Sequence, residues 1–411
     1  MERIHIKNFK QIKEADLYLR KFNIIVGEHA CGKSTLMKVA YFMHHLQDEI
    51  INEVSANAPQ IFRHNFFGRM KQAVRIAFVH HFGSTRHLAD FTIDYYTPSG
   101  ELVCFYINDN NDLDLFFVDD FGDKILDNSF AAVEELVALK NKGLDSTAPE
   151  WQEILDALRE RLNIVFGDNT QELYIPNNRS VWFAIGNRVQ TLFDEMEQTL
   201  KTKGFLRFDS EHELFHLRFV QHIKNNVVPV FKRNATLKDV FFDVMKFSTD
   251  ANLTIDSTSK QIETLLQGTY QTDTFGEKIF YELPEKYVYL QNAATHQQEI
   301  IRMIQDLFLA ALRQKPVLRF IEHPEAQVRT DLHAELVHFL VWFATSHPEN
   351  QLVFSTHSSQ MVDTLNKIVG EGKLLKSEDV NVLTIDDGHL VTLSNQETGK
   401  VEATLTEKYL V

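Results

Sequence analysis

A chain of 411 residues with 44% hydrophobic and 24% charged content is long enough to bury a sizeable core, as one large domain or two. A formal net charge of −15 shows no general nucleic-acid footprint and leaves only a local basic groove open. Two cysteines, Cys31 and Cys104, are too few for a disulfide framework or a zinc cluster and suit the cytoplasm. No apolar run reaches the roughly 18 residues that a membrane span needs, and the N-terminus lacks a signal-peptide pattern.

Taken in order, residues 3 to 26 read as two strands joined by a turn, with Ile4, Ile6 and Phe9 in the first and Leu17, Leu19, Phe22 and Ile24 in the second. The run Phe22 to Val26 is short, apolar and buried in character. Gly27, four residues and then Gly32-Lys33-Ser34 match the phosphate-binding loop pattern, and Leu36 to Tyr41 continues as a helix. The spacing has a chemical reason. Glycines let successive backbone N–H groups turn inward at phosphate oxygens, in front of the positive end of the helix. Gly27, Glu28, His29, Ala30, Cys31, Gly32, Lys33, Ser34 and Thr35 are the candidate nucleotide-binding residues. Lys33 is expected on the β- and γ-phosphates and the Ser34 hydroxyl on Mg²⁺. Cys31 reads simply as a small side chain in the loop.

Residues 48 to 70 give no clear pattern. Val74–Val79, Phe91–Tyr96, Leu102–Ile107 and Leu113–Val118 read as strands of an antiparallel meander, with turns at Pro98-Ser99-Gly100 and Asp109 to Asp112. From about residue 129 the period becomes helical: Trp151, Ile154, Leu155, Leu158 and Leu162 share one face, as do Val189, Leu192, Phe193, Met196 and Leu200. Three segments follow from this: 1–128 with the phosphate loop and a β lobe, 129–275 as a mainly helical insertion, and 276–411. The last segment returns to alternation. Helices are expected at Ile300–Arg313, Leu332–Thr345 and Met361–Val369, and strands at Val317–Ile321 and Leu352–Ser355, with a closing hairpin at Val380–Ile385 and Leu390–Leu393. Such alternation implies a largely parallel sheet, shared with the strand before the phosphate loop, with ligands at the carboxyl ends of its strands.

Two of those strands end in chemistry. The first runs into Glu322-His323-Pro324-Glu325-Ala326, where an acid can hold Mg²⁺ through water; the second runs into Ser355-Thr356-His357-Ser358. Together with Ile4-His5-Ile6-Lys7-Asn8-Phe9-Lys10, Tyr174-Ile175-Pro176-Asn177-Asn178-Arg179-Ser180 and Ala294-Thr295-His296-Gln297-Gln298-Glu299, these resemble the ABC-type ATPases of the OLD-like and SMC-like group, found as AAA-family ATPases of bacterial defence systems. The resemblance covers about 1 to 45 and 280 to 395, and the middle more weakly. It implies an α/β fold: an ABC-type P-loop ATPase head with an antiparallel β lobe and a mainly helical insertion.

It also implies ATP and Mg²⁺ as cofactors and a head-to-tail homodimer, or an assembly of dimers. The segment Thr295, His296 and Gln297 of one subunit would then face the nucleotide of the other. By the same resemblance Glu322 takes the metal-side acid role beside Ser34, His357 senses the γ-phosphate, and His323 stands where the family keeps its catalytic glutamate. His296 stands in place of the signature glycine, and His29 adds a third unusual histidine. A carboxylate at position 323 polarises the attacking water with a full negative charge, which a neutral imidazole near pH 7 lacks. Impaired hydrolysis, histidine-assisted hydrolysis and a base from elsewhere, such as Glu325, all stay open. The expected role is a cytoplasmic, nucleotide-controlled switch for a separate effector, a nuclease or toxin, in anti-phage defence. Nothing after residue 395 is long enough for the Toprim nuclease domain of full-length OLD proteins. A DNA-repair or chromosome-associated ATPase, or a non-hydrolysing scaffold held by ATP, are the rivals.

Overall fold

The computed structural model describes residues 2–85, 87–88, 90–118, 120–181, 183, 211–245, 255–282, 284–395, 397–401 and 408–409. They form two compact units, one of residues 1–19, 30–172 and 385–390, the other of 20–29, 173–384 and 391–411.

The first unit contains strands β1 (Arg3–Phe9), β2 (Ile12–Leu17), β4 (Thr92–Tyr96), β5 (Leu102–Ile107) and β6 (Leu113–Phe117). Its helices are α1 (Lys33–His44), α2 (Leu46–Asn57), α3 (Phe66–Phe82), α4 (Phe121–Asn141) and α5 (Pro149–Phe166). The strands lie in the order β6-β5-β4-β1-β2, each pair antiparallel. Alternation explains the lobe: along β4, Ile93 and Tyr95 are buried while Thr92, Asp94 and Tyr96 are not. Phe9 of β1, Phe105 of β5, Phe42 of α1 and Phe78 and Phe82 of α3 interlock there, Phe42 and Phe78 edge to face with ring centroids 5.4 Å apart. The far end of α1 is pinned electrostatically. His44 lies 2.7 Å from both Glu2 and Asp168, and these carboxylates hold its imidazole well above the usual histidine range although burial opposes them.

The second unit is built on β3 (Phe22–Val26), β11 (Val317–Glu322), β12 (Gln351–Thr356) and β13 (Val380–Asp386, in this unit up to Thr384), with β7 (Gln171–Ile175) entering at Leu173. The order is β13-β3-β12-β11-β7, and β13–β3, β3–β12 and β12–β11 are parallel. The helices described are α6 (Glu211–His222), α7 (Val228–Arg233) after a π turn at Ile223–Val227, α8 (Leu237–Met245), α9 (Ile255–Leu266), α10 (Thr295–Arg313), α11 (His333–Thr345) and α12 (Ser359–Glu371). A separate antiparallel sheet, β10-β9-β8, comprises β8 (Thr269–Asp273), β9 (Gly276–Glu282) and β10 (Lys286–Tyr289). At its heart α10 is buried on every side from Glu299 to Leu312. Such burial is tolerable only because its charges are matched. Arg302 makes two 2.7 Å bonds to Glu277, and Asp306 accepts from Arg319 at 2.8 Å and lies 2.7 Å from His222.

The mixed α/β fold is as expected, and most strands of the parallel section fall within a residue or two of their sequence positions. Three readings need correction. Residues 3 to 26 form three strands, because the expected second strand ends at Leu17 and resumes only at Phe22, where the Asn23 side chain accepts from the Arg20 N–H and donates to its carbonyl, and β3 then belongs to the other unit. Val74–Val79 is no strand but the middle of α3. Phe66, Met70, Val74, Ala77, Phe78, His81 and Phe82 are buried at helical spacing while Ile76 and Val79 are exposed, so the long period overrides a β-branched run. Helix α10 begins at Thr295, five residues before the expected start. The helical face at Val189, Leu192, Phe193, Met196 and Leu200 lies outside the described residues.

Candidate functional site

The loop between β3 and α1 has the backbone that its sequence calls for. Gly27 and Gly32 stand at φ 135° and 111°, where a side chain is strained, and Ala30 at 61° is left-handed as well. At Gly32 a Cβ would also come within 3.3 Å of Ile385, so the turn is closed to larger residues. The chain passes from the second unit to the first between His29 and Ala30. On the first unit's side, Lys33 is buried with its ammonium 3.8 Å from the Cys31 sulfur, Ser34 follows it in the first turn of α1, and Thr35 donates to Gln11 at 3.3 Å.

In the second unit the strand ends are level. Glu322 of β11 registers with Ser355 of β12, and Ser355 and Thr356 register with Ile25 and Val26 of β3. One sheet edge therefore carries Gly27, His29, Glu322, His323 and His357. Glu322 is 2% exposed and accepts from the Tyr174 hydroxyl at 2.7 Å. Three imidazoles cluster beside it: His357 stacks on His323, with centroids 4.6 Å apart and planes 10° apart, and His29 tilts against His357 at 4.0 Å and 43°. His323 sits at φ 44°, an uncommon backbone for a non-glycine residue, held by its N–H to the Ser355 carbonyl and by its own carbonyl, which accepts from Ala326 and Arg179. Below the stack, Glu325 Oε1 accepts from Thr356 Oγ1 at 2.7 Å and from the His357 N–H at 3.0 Å, and lies 3.6 Å from His323 Nδ1. Burial pushes the Glu325 carboxyl up, but His323, the Thr356 hydroxyl and the His357 N–H more than offset it and leave it below the usual range.

The segment Thr295-His296-Gln297 forms the first turn of α10. Thr295 is exposed and His296 half-buried, whereas Gln297 is 1% exposed and committed inward. Its carbonyl oxygen accepts from the Ala294 N–H and the Tyr281 hydroxyl, both at 3.1 Å, and its amide donates to the Leu266 carbonyl at 2.8 Å. Gln297 thereby caps the helix, as the N3 residue of a capping box does. Burial, and next Arg329, push the His296 imidazole below the usual histidine range.

The AAA ATPase domain model matches residues 1–362, most of the chain and every motif up to His357. The chain belongs to this ATPase family. No curated protein matches it. Among solved structures, the SMC head bound to the C-terminal winged-helix domain of ScpA is similar, with 11% identity, 95% of this chain and 96% of that chain covered, and a TM-score of 0.42. The SMC head with an extended coiled coil from Pyrococcus furiosus, bound to the C-terminal domain of ScpA, gives 10% identity, 96% of each chain and 0.40. The SMC head from Thermotoga maritima gives 9%, 95% and 97%, and 0.39.

In this ATPase-domain chain, the structure joins the Glu322, His323 and His357 motifs with His29 at one edge, and links them to α10 through a residue to which the sequence gave no role. Arg179, 1% exposed, donates from its guanidinium to the carbonyls of Glu299 (2.9 Å), Pro176 (3.2 Å), Glu322 (2.9 Å) and His323 (3.2 Å). Its backbone N–H and that of Ser180 meet the two oxygens of Glu299 at 2.6 and 2.7 Å. The motif Tyr174 to Ser180 signals itself in sequence, but nothing in sequence says which carbonyls its arginine will find.

Proposed function

We propose that the chain is an ABC-type ATP-binding protein in which ATP and Mg²⁺ pair two copies head to tail, and that this pairing controls a separate effector, a nuclease or toxin, in anti-phage defence. The observation that carries the nucleotide reading is the loop from Gly27 to Thr35, with glycines at positive φ, a buried Lys33, and a strand before and helix after it. The Ser34 hydroxyl and the Glu322 carboxylate, which accepts from the Tyr174 hydroxyl and the Asn177 N–H, are hard oxygen donors of the kind Mg²⁺ takes. Mg²⁺ would neutralise charge on the phosphates; Lys33 binds them, and His357 faces the γ-phosphate side.

The site is one-sided, and donors on the far face of the γ-phosphate come from Thr295 and His296 of a second copy, with Gln297 holding that turn in shape from within. A β-carbon at His296 crowds the approach that glycine allows, and His323 polarises water less strongly than a carboxylate. Basal turnover is therefore slow. Calorimetry tests the reading: wild type binds Mg²⁺-ATP and Lys33→Ala does not. Unchanged affinity in that variant removes the basis of the proposal.

A further inference from the structure

His323 is not alone in its pocket, and the group that faces it carries a charge that its structural job does not require. Glu325 Oε1 straps the ends of β11 and β12 together by accepting from Thr356 Oγ1 and the His357 N–H. An amide oxygen would serve that strap equally well. The same Oε1 stands 3.6 Å from His323 Nδ1, and Oε2 is buried with no hydrogen-bond partner among the described residues. A neutral imidazole carries its proton on one nitrogen only, and the group facing the other decides which. A carboxylate facing Nδ1 keeps the proton there and leaves the Nε2 lone pair as the acceptor. The charged and titratable groups around His323 are Glu325, the stacked His357 with His29 behind it, Glu322 before it in the chain and the Arg179 guanidinium on its carbonyl. Of these, only Glu325 brings an anion to within 4 Å of a His323 ring nitrogen among the described residues.

We propose that His323 and Glu325 act as a dyad that replaces the family's single catalytic glutamate, with His323 Nε2 as the base and Glu325 as its positioning residue. This rests on the ATPase reading above. In the step, Nε2 takes a proton from the attacking water as the water oxygen bonds to the γ-phosphorus. The bond from that phosphorus to the β,γ-bridging oxygen breaks, and ADP leaves with its electron pair. The imidazolium, stabilised by the Glu325 carboxylate, then returns its proton to the phosphate released. The left-handed backbone at His323 fits this role, since it turns the ring onto His357 and above Glu325 instead of leaving it extended from the strand.

The substitution Glu325→Gln separates dyad from strap, because it keeps an oxygen for Thr356 and His357 and removes only the charge. In the full-length chain, kcat for ATP hydrolysis is expected to fall about 10- to 100-fold, part of the roughly 10²–10⁴ that a general base supplies, with KM within about twofold. A second readout needs no nucleotide. Long-range ¹H–¹⁵N spectra of the ATP-free protein, with the His323 signal identified by its loss in His323→Gln, should show the Nδ1–H tautomer in wild type and a shifted tautomer population in Glu325→Gln. A wild-type His323 protonated on Nε2, or a Glu325→Gln enzyme with unchanged kcat, overturns the dyad. If Glu325→Gln fails to fold, the wild-type tautomer decides alone. If wild type fails to bind ATP, the ATPase reading falls while the tautomer still reports on the pair.

Discussion

Replacing Arg179 by methionine keeps the length and apolar stem of the side chain and removes the guanidinium. Four carbonyls then lose a donor, those of Glu299, Pro176, Glu322 and His323, of which His323 keeps the Ala326 N–H, at a site where Arg179 is 1% exposed. Each net hydrogen bond contributes about 1 kcal/mol, and a buried acceptor left unpaired costs about 1–3. Glu299 also loses the positive charge beside it, though the N–H groups of residue 179 and Ser180 still hold its oxygens. The expected cost is about 3–5 kcal/mol, the range for breaking a buried charged pair from one side. It falls where the acidic strand, the left-handed His323 and the first turns of α10 meet. Hydrogen exchange by mass spectrometry is the assay. Protection in peptides covering residues 295–313 and 317–322 should drop by about 10²- to 4 × 10³-fold, at 1.4 kcal/mol per tenfold. Arg179→Lys, with three donors for four carbonyls, should lose less. A methionine variant whose exchange stays within about threefold of wild type in both peptides would refute the claim that Arg179 fastens these elements.

The remaining predictions address turnover and acid stability. His323→Glu puts a carboxylate in place of the imidazole and should raise ATP turnover, and adding His296→Gly, which removes a β-carbon, should raise it further; steady-state rates no higher than wild type in both variants, with ATP still bound, would show that neither histidine limits hydrolysis. Burial alone would push Glu277 up, but Arg302 overcomes it and holds the carboxyl at about 2 against an ordinary 4.5. A depressed acid stabilises the fold above its unfolded value and loses that contribution as pH falls through the folded one. Unfolding midpoints should therefore decline from about pH 4.5 towards 2, by about 3 kcal/mol for this group. In Glu277→Gln that part of the decline should vanish, and an unchanged acid profile would assign it to other groups.

The sequence made the chemistry-bearing segments legible because each is short and local. A glycine-lysine-serine loop between a strand and a helix, or an acid closing an apolar strand, identifies itself without knowledge of its neighbours. The parallel arrangement that levels Glu322, Ser355 and Ile25 follows from strand–helix alternation, and that too is a local signal. Two kinds of information were not local. Val74–Val79 has strand-forming residues, and only the longer period from Phe66 to Phe82 places it in a helix. Glu325 accepts from the Thr356 hydroxyl and the His357 N–H more than 30 positions away, and Arg179 donates to the Glu299 and Glu322 carbonyls more than 100 away, so these partners exist only once the sheet has formed. Gln297 shows the converse. Its place in the signature suggested an outward contact, yet its three hydrogen bonds inside the unit make it the cap of α10.

The central claim is that ATP in the Gly27–Thr35 loop pairs two copies of the chain. Sedimentation velocity on wild type, Lys33→Ala and Thr295→Ala, with and without Mg²⁺-ATP, tests it most directly. Nucleotide should double the sedimenting mass of wild type, leave Lys33→Ala unchanged and weaken pairing in Thr295→Ala, which still binds ATP. A wild-type mass that does not respond to Mg²⁺-ATP at saturation, or a Lys33→Ala variant that responds as wild type does, would contradict it.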